Sequence, residues 1–463
     1  MLIDSETSRL RSLLVNSGRF SFPEADRCLT QSSLALTADR DILSTAAAQA
    51  ALLTAVAAGV RTFGEIAVPP NLDIAVKTPL PIPGNSLGEQ LRVLGACERV
   101  PKPGERLLVI GSSEYERDYS ALRAVWSGWV AGIQPGGHPI PAGSTHCVLA
   151  AAAAGALGIA ESFAVEYGNV RAGRRVQQLS LWSPGTYEEF VGPDEFALPL
   201  SEWVVGIGNL GQAHLWCLAL LPYPKPEDVA LLLQDFDHVK AENWGTSLLV
   251  QRGRYGMLKT RLAEEWCAAR GFRVRRVDRR LDEYLRRQED EPVLAVAGLD
   301  RLPPRRLLGH VGFDHIVDVG LGADADTYHQ FRLTAFDRSY SPAKHFDQVR
   351  DQDSRERTQH LPAYQSLLSG GVVDACGMAS LAGIPVAVPF VSLIASAVAV
   401  AQVIRLASGV APAVSLTASV DSLASCRATS GLALVRPTFP VVHGARWAQT
   451  GNQQRAKTEP AVD

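Results

Sequence analysis

The chain has 463 residues, 46% of them hydrophobic and 20% charged, with a formal net charge of −3. That length exceeds what one ordinary core covers, so two domains are expected, and the composition excludes intrinsic disorder. The near-neutral balance offers no basic surface for nucleic acid or an anionic membrane, and the seven cysteines, odd in number and never in a C-x-x-C pair, fit neither a disulfide framework nor a structural zinc site.

Scattered thiols of this kind point to a reducing, cytoplasmic setting. The first residues, MLIDSETSRLRSLL, place acid before any apolar run and so predict no export signal. Alanine-rich sequence at 42–60 predicts a helix, RTFGEIAV ends in a strand, and ERLLVIGSS at 105–113 reads as a buried strand. A second long apolar helix is expected over 145–168. This half has an α/β pattern with no glycine fingerprint. Proline, glycine and acid interrupt both periodicities near 183–199, which marks a junction.

Beyond it the elements alternate: strand 203–207, helix 211–221, strand 229–234, helix 256–270, then strands 272–277, 292–297 and 314–319. Strands separated by helices imply a mostly parallel sheet. The stretch from Gly377 to Ile404 carries no charge and suits either a bilayer span or a buried core helix. Pro385 and Pro389 cut it and no basic cluster flanks it, so a core helix starting near Phe390 is expected, with no membrane partner. The polar residues after Val442 predict a disordered tail. The two halves share a similar layout, as a weak repeat would.

The first nucleotide signal is the turn after strand 203–207. Gly206, Gly208, Asn209 and Gly211 form a strand-to-helix turn whose bare backbone lets a phosphate approach a helix N-terminus. Asp235 ends the next strand, where a carboxylate can accept hydrogen bonds from a ribose. This fingerprint alone also suits a nicotinamide or flavin oxidoreductase. The residues downstream of it are more specific: D-F-D-H-V-K-A-E-N from Asp235 through Asp237 to Asn243, Lys259 sixteen residues further on, V-A-G-L-D ending at Asp300, and Cys376-Gly377 before the long apolar run.

This order resembles the adenylation domain of E1-like activating enzymes, over about Trp203 to Gly409. The resemblance implies an α/β fold: a Rossmann-like adenylation domain with a mostly parallel sheet at 196–442, a degenerate, inactive adenylation-like α/β domain at 1–195, and a tail at 443–463. It implies ATP and Mg²⁺ as cofactors, with Asp235 on the ribose, Asn243 near the phosphates, Lys259 offsetting phosphate charge and Asp300 holding the metal. Cys376 occupies the place of the family's thioester cysteine, with Cys426 as runner-up. Cys147, Cys217 and Cys267, which lie in helix patterns, are expected to be structural.

One position departs from the pattern. The family carries a phosphate-contacting arginine three residues after the asparagine, where this chain has Thr246. Arg252 or Arg254 is the expected replacement. Family members also take an arginine from an N-terminal segment, for which Arg9, Arg11, Arg19 and Arg27 are candidates. The implied partners are a ubiquitin-like protein and a conjugating enzyme in a bacterial, antiviral type of system, with a pseudo-dimer inside the chain and a possible homodimer. A sulfur-carrier adenylyltransferase, a dinucleotide oxidoreductase and an inactive scaffold are the alternatives.

Overall fold

A computed structural model describes residues 5–116, 120–139, 146–186, 192–322, 324–347, 358–371, 378, 381–382, 386–430 and 436–447. Two short helices, α1 (Ser8–Asn16) and α2 (Phe22–Gln31), open the chain. A seven-stranded sheet comes next, built from β1 (Ser33–Thr37), β2 (Glu65–Val68), β3 (Cys97–Glu98), β4 (Leu107–Ile110), β5 (Ala121–Ser127), β6 (Val130–Pro135) and β7 (Gln177–Ser180). Its order is β3-β2-β1-β4-β5-β6-β7. The first five strands pair in parallel, and β6 and β7 add on antiparallel.

Helices α3 (Ala46–Gly59), α4 (Leu87–Leu94) and α5 (Val148–Glu166) connect these strands. Thr45 caps α3 by accepting from the Ala48 N–H at 3.2 Å, and the Cys147 sulfur caps α5 by accepting from Ala150 at 3.4 Å. Both helices are apolar on all sides and accordingly buried on all sides.

After β8 (Glu195–Pro199) the pattern begins again. The second sheet contains β9 (Ser201–Val205), β10 (Ala230–Gln234), β11 (Arg273–Val277), β12 (Leu294–Ala297), β13 (His315–Leu321), β14 (Gln330–Asp337), β15 (Ala413–Ser419) and β16 (Arg427–Ser430). Its order is β11-β10-β9-β12-β13-β14-β15-β16, again parallel through its first five strands and antiparallel after them. Counted from its own first strand, each sheet therefore reads 3-2-1-4-5-6-7, and the second adds one more strand. The connecting helices repeat as well. α3 and α6 (Asn209–Ala219) come after the first strand of each sheet, while α5 and the Pro389–Ala407 helix lie between the sixth and seventh. The weak repeat suggested by the sequence is a repeat of topology.

One apolar cluster runs through both halves. α5 packs against α3 on one side and the Pro389–Ala407 helix on the other, which in turn lies on α6. α5 and the Pro389–Ala407 helix are long and apolar enough to cross a membrane. Their apolar windows are 94% and 100% buried inside the protein, as core helices of an α/β fold are. In β9, Val204 faces this common core, whereas Trp203 and Val205 face a smaller cluster with Phe313 and Leu285 on the other side of the sheet.

The first residues of the expected tail are structured. β17 (Val441–Arg446) pairs antiparallel with β8, and Trp447 packs its ring 5.1 Å from Trp129 and 4.7 Å from Phe196. Two aromatic anchors hold residues whose composition reads as polar.

Candidate functional site

The chain leaves β9 at Gly206 with φ +88°, a backbone conformation that a side chain disfavours. A Cβ on Gly211 would stand 2.0 Å from the Gly206 carbonyl oxygen, so α6 reaches this close to the sheet only with glycine there. Gly208 is the N-cap, Asn209 opens the helix, and no side chain caps the first N–H groups. A Cβ on Gly208 would meet nothing within 4 Å. Uncapped donors facing open space at a helix N-terminus suit an anion. Asn209 is held by its amide nitrogen, which donates to the Val388 carbonyl at 3.4 Å.

Asp235 closes the turn from below. Its Oδ2 accepts from the Ile207 N–H at 2.7 Å and its Oδ1 from the Asp237 N–H at 2.8 Å. Lys259 Nζ donates to Asp237 Oδ2 at 2.8 Å, so the glycine turn, both aspartates and the lysine form one connected group. Lys259 is the first residue of α8 (Lys259–Ala269), with no acidic residue in that first turn. A cation against the positive end of a helix costs about 0.3–1 kcal/mol. The pair with Asp237, whose side chain is half exposed, returns about 0–1 kcal/mol. The two terms nearly cancel, so the ammonium can change partners at little cost.

Asp300 lies three residues beyond β12, exposed and with no partner among the described residues. Its loop reaches the glycine turn through Gly298, whose carbonyl oxygen stands 3.0 Å from where a Cβ on Gly206 would be. The short helix α9 (Leu302–Leu307) comes next, and Arg305 on it binds Asp318 with Nε at 3.0 and 3.1 Å from the two carboxylate oxygens. Asp318 is fully buried on β13 beside Ala297. Burial holds its carboxyl above the ordinary value, against the pull of Arg305. This clamp fixes both ends of the Asp300 loop. No group of three or more His, Cys, Asp or Glu side chains gathers as a metal site among the described residues.

Other expected residues are placed elsewhere. Asn243, on the one-turn helix α7 (Ala241–Trp244), is buried and accepts from the Lys240 N–H at 2.8 Å. Thr246 is 1% exposed, so that position sits in the interior. Arg254 pairs with Glu265 on α8, while Arg252 pairs with Glu6 at 2.8 Å and stacks 4.0 Å from the Trp244 ring centroid. Of the N-terminal arginines, Arg9 reaches this region, bound to Glu242 at 3.2 Å. Arg11 binds Asp26, Arg19 donates to the Tyr167 carbonyl, and Arg27 is exposed.

Cys376 lies outside the described residues. Burial pushes the Cys426 thiol up to about 11 and that of Cys147 to about 12. Cys217 and Cys267 are also raised by burial. Four thiols held in the protonated form are poor nucleophiles.

Two residues near the turn carry no signature in the sequence. Gln212, one place after Gly211, donates to the Ile207 carbonyl at 3.1 Å and accepts from the Leu249 N–H at 3.0 Å. Arg61, from the first half, donates to the Leu248 and Val250 carbonyls at 2.8 and 3.0 Å. Neither connection has a local pattern that sequence can display.

Similarity to known proteins agrees with this layout. Residues 33–181 match a family model described as the BilD N-terminal domain, and residues 198–410 one described as the BilD C-terminal domain. The chain is 36% identical over 414 residues to the bacterial E1-like protein BilD of Collimonas sp. (strain OK412), covering 87% of this chain and 88% of that protein. Crystal structures of E. coli MccB (14% identity, 55% of this chain and 68% of that one, TM-score 0.34) and of PaaA (16% identity, 51% and 64%, TM-score 0.33) are more distant. Scores this low add nothing about the site.

Proposed function

This chain belongs to the family of bacterial E1-like proteins named BilD, and from that premise we propose that it activates a carboxylate by ATP-dependent adenylation. The observation that carries this reading is the hydrogen-bonded group of glycine turn, Asp235, Asp237 and Lys259. In it a cation is linked through Asp237 and Asp235 to the turn that leads into an uncapped helix N-terminus.

In the proposed reaction a carboxylate oxygen bonds to the α-phosphorus of ATP, the bond to the β-phosphate oxygen breaks, and pyrophosphate leaves. Two anions must meet, so the site has to offset their repulsion. The turn N–H groups and Lys259 supply that, with Lys259 leaving Asp237 for phosphate. Asp235, already fixed by Ile207, turns a carboxylate edge to the ribose. Mg²⁺, held by Asp300 and phosphate oxygens, would neutralise charge on the leaving group. Asn243 shapes the loop around the phosphates from within, since its side chain is committed to Lys240. Arg252 or Arg254 would have to release Glu6 or Glu265 to reach phosphate.

The substrate proposed is the C-terminal carboxylate of a ubiquitin-like protein. A Cys376 thiolate then attacks the acyl carbon, AMP leaves and a thioester forms, ready for a conjugating enzyme in a bacterial antiviral system. We read residues 1–195 as a degenerate adenylation domain and 196–442 as the active one. Support for this comes from the loop after β1, which has no glycine and whose Arg40 and Asp39 are engaged by neighbouring backbone. Arg40 donates to the Asn71 and Asp73 carbonyls at 2.6 and 3.2 Å, and Asp39 accepts from the Glu114 N–H at 2.7 Å.

Incubation with ATP, Mg²⁺ and the partner protein is expected to give a thiol-reducible adduct in the wild type and none in Cys376→Ala. Lys259→Ala should reduce pyrophosphate exchange by about 100-fold or more. Full exchange in Lys259→Ala would overturn the adenylation site, whereas an adduct persisting in Cys376→Ala would move only the nucleophile.

A further inference from the structure

Arg61 belongs to the first half, just past α3, yet two of its three side-chain hydrogen bonds are made to the second. The side chain is 7% exposed and its Nη1 is fixed by the Ala57 carbonyl at 2.7 Å. Its Nη2 donates to two carbonyls of the loop between Asn243 and Lys259, those of Leu248 and Val250. Trp244 of that loop meets two guanidinium groups, with Arg61 5.6 Å and Arg252 4.0 Å from its ring centroid. Burial and the nearby Arg252 bring Arg61 down to about 10, still well above neutral pH, so it remains a cation.

The residue between the two clamped carbonyls continues the connection. Leu249 N–H donates to Gln212 Oε1 at 3.0 Å, and Gln212 Nε2 donates to the Ile207 carbonyl at 3.1 Å. Ile207 N–H donates to Asp235, Asp235 accepts from Asp237 N–H, and Asp237 accepts from Lys259. Arg61, Gln212, Leu248, Leu249 and Val250 are all buried. In a dry setting each such bond is costly to leave unmade, so the loop and the glycine turn have one low-energy arrangement.

We propose that Arg61 and Gln212 are positioning residues of the nucleotide site. On this reading the first half contributes a buried cation that sets the glycine turn through the 244–250 loop without touching the nucleotide. The inference rests on the ATP reading of that turn. It gives the first half a role in ATP affinity that a passive scaffold would not have.

The test is calorimetric titration of ATP with Mg²⁺ into the full chain, with unfolding temperature measured in parallel. Arg61→Met and Gln212→Met are expected to weaken ATP by about 10-fold or more, with Arg61→Lys intermediate. Thr54→Val is the control: Thr54 also makes a buried bond between the halves, accepting from Trp216 Nε1 at 3.0 Å, a bond that does not involve the loop. It should lower the unfolding temperature and leave ATP affinity within about twofold. If Arg61→Met does not fold, Gln212→Met and Arg61→Lys decide the matter. Unchanged ATP affinity in the folded variants would overturn the positioning role alone, and a wild type that binds no ATP would overturn the ATP site and this role together.

Discussion

Gly211 is where one atom decides the geometry of the turn. A methyl group there would stand 2.0 Å from the Gly206 oxygen, and backbone cannot yield as a flexible side chain can. Gly211→Ala is therefore expected to lower stability by about 1–3 kcal/mol. It should also weaken ATP by about 10-fold, as urea midpoint and ATP titration would show. The turn, Asp235 and Lys259 were legible in the sequence because each contact spans a few tens of residues within one βαβ unit. In the structure Lys259 also occupies the helix end where a lysine is disfavoured. Thr246, Arg252 and Arg254 were not legible. Whether an arginine faces phosphate depends on carboxylates such as Glu6, which the chain brings from 246 residues away.

Among the elements, the parallel strands of the second sheet, β2 and β4 of the first, and the long apolar helices lie within a few residues of their expected bounds, because buried runs and helical composition are local signals. Strands β1, β3, β5, β6, β14 and β15 have no counterpart in that expectation. Sequences such as ALRAVWS and QFRLTAFD gain their meaning from the neighbour they pair with. A second element-level device lies at the edge of the first sheet. Arg99, just past β3, binds both oxygens of Glu105 at 2.7 and 2.8 Å, and the Lys102 N–H adds a third bond at 2.8 Å. Burial pushes the Glu105 carboxyl up, but these donors outweigh it and hold it at about 2, below its ordinary value near 4.5. A folded-state value lowered in this way stabilises the protein fully above about pH 4.5, and the contribution fades as pH falls toward 2. Glu105→Gln should thus cost about 2 kcal/mol at pH 7, and the gap to wild type should narrow at pH 3 in urea unfolding.

On the scale of the whole molecule, one apolar core runs through two halves whose sheets have the same topology. α5 of the first half and the Pro389–Ala407 helix of the second bury each other, and Arg61 and Thr54 carry hydrogen bonds across the junction. Sequence suggested two similar halves. It did not suggest how tightly they are joined, since the joining helices are alanine-rich and look alike from any side. The strand-end turns of the two sheets also differ: the one after β9 is lined by glycines, whereas in the one after β1 Arg40 and Asp39 hydrogen-bond to neighbouring backbone.

The central claim is that the open turn serves ATP, and not a dinucleotide, through Asp235 and Lys259. Titrating the full chain with ATP and Mg²⁺, and separately with NAD, tests it most directly. Saturable binding of one ATP per chain is predicted, with loss of about 10-fold or more in affinity in Asp235→Ala and in Lys259→Ala, and no binding of NAD. Tight NAD binding, or ATP binding that both substitutions leave unchanged, would contradict it.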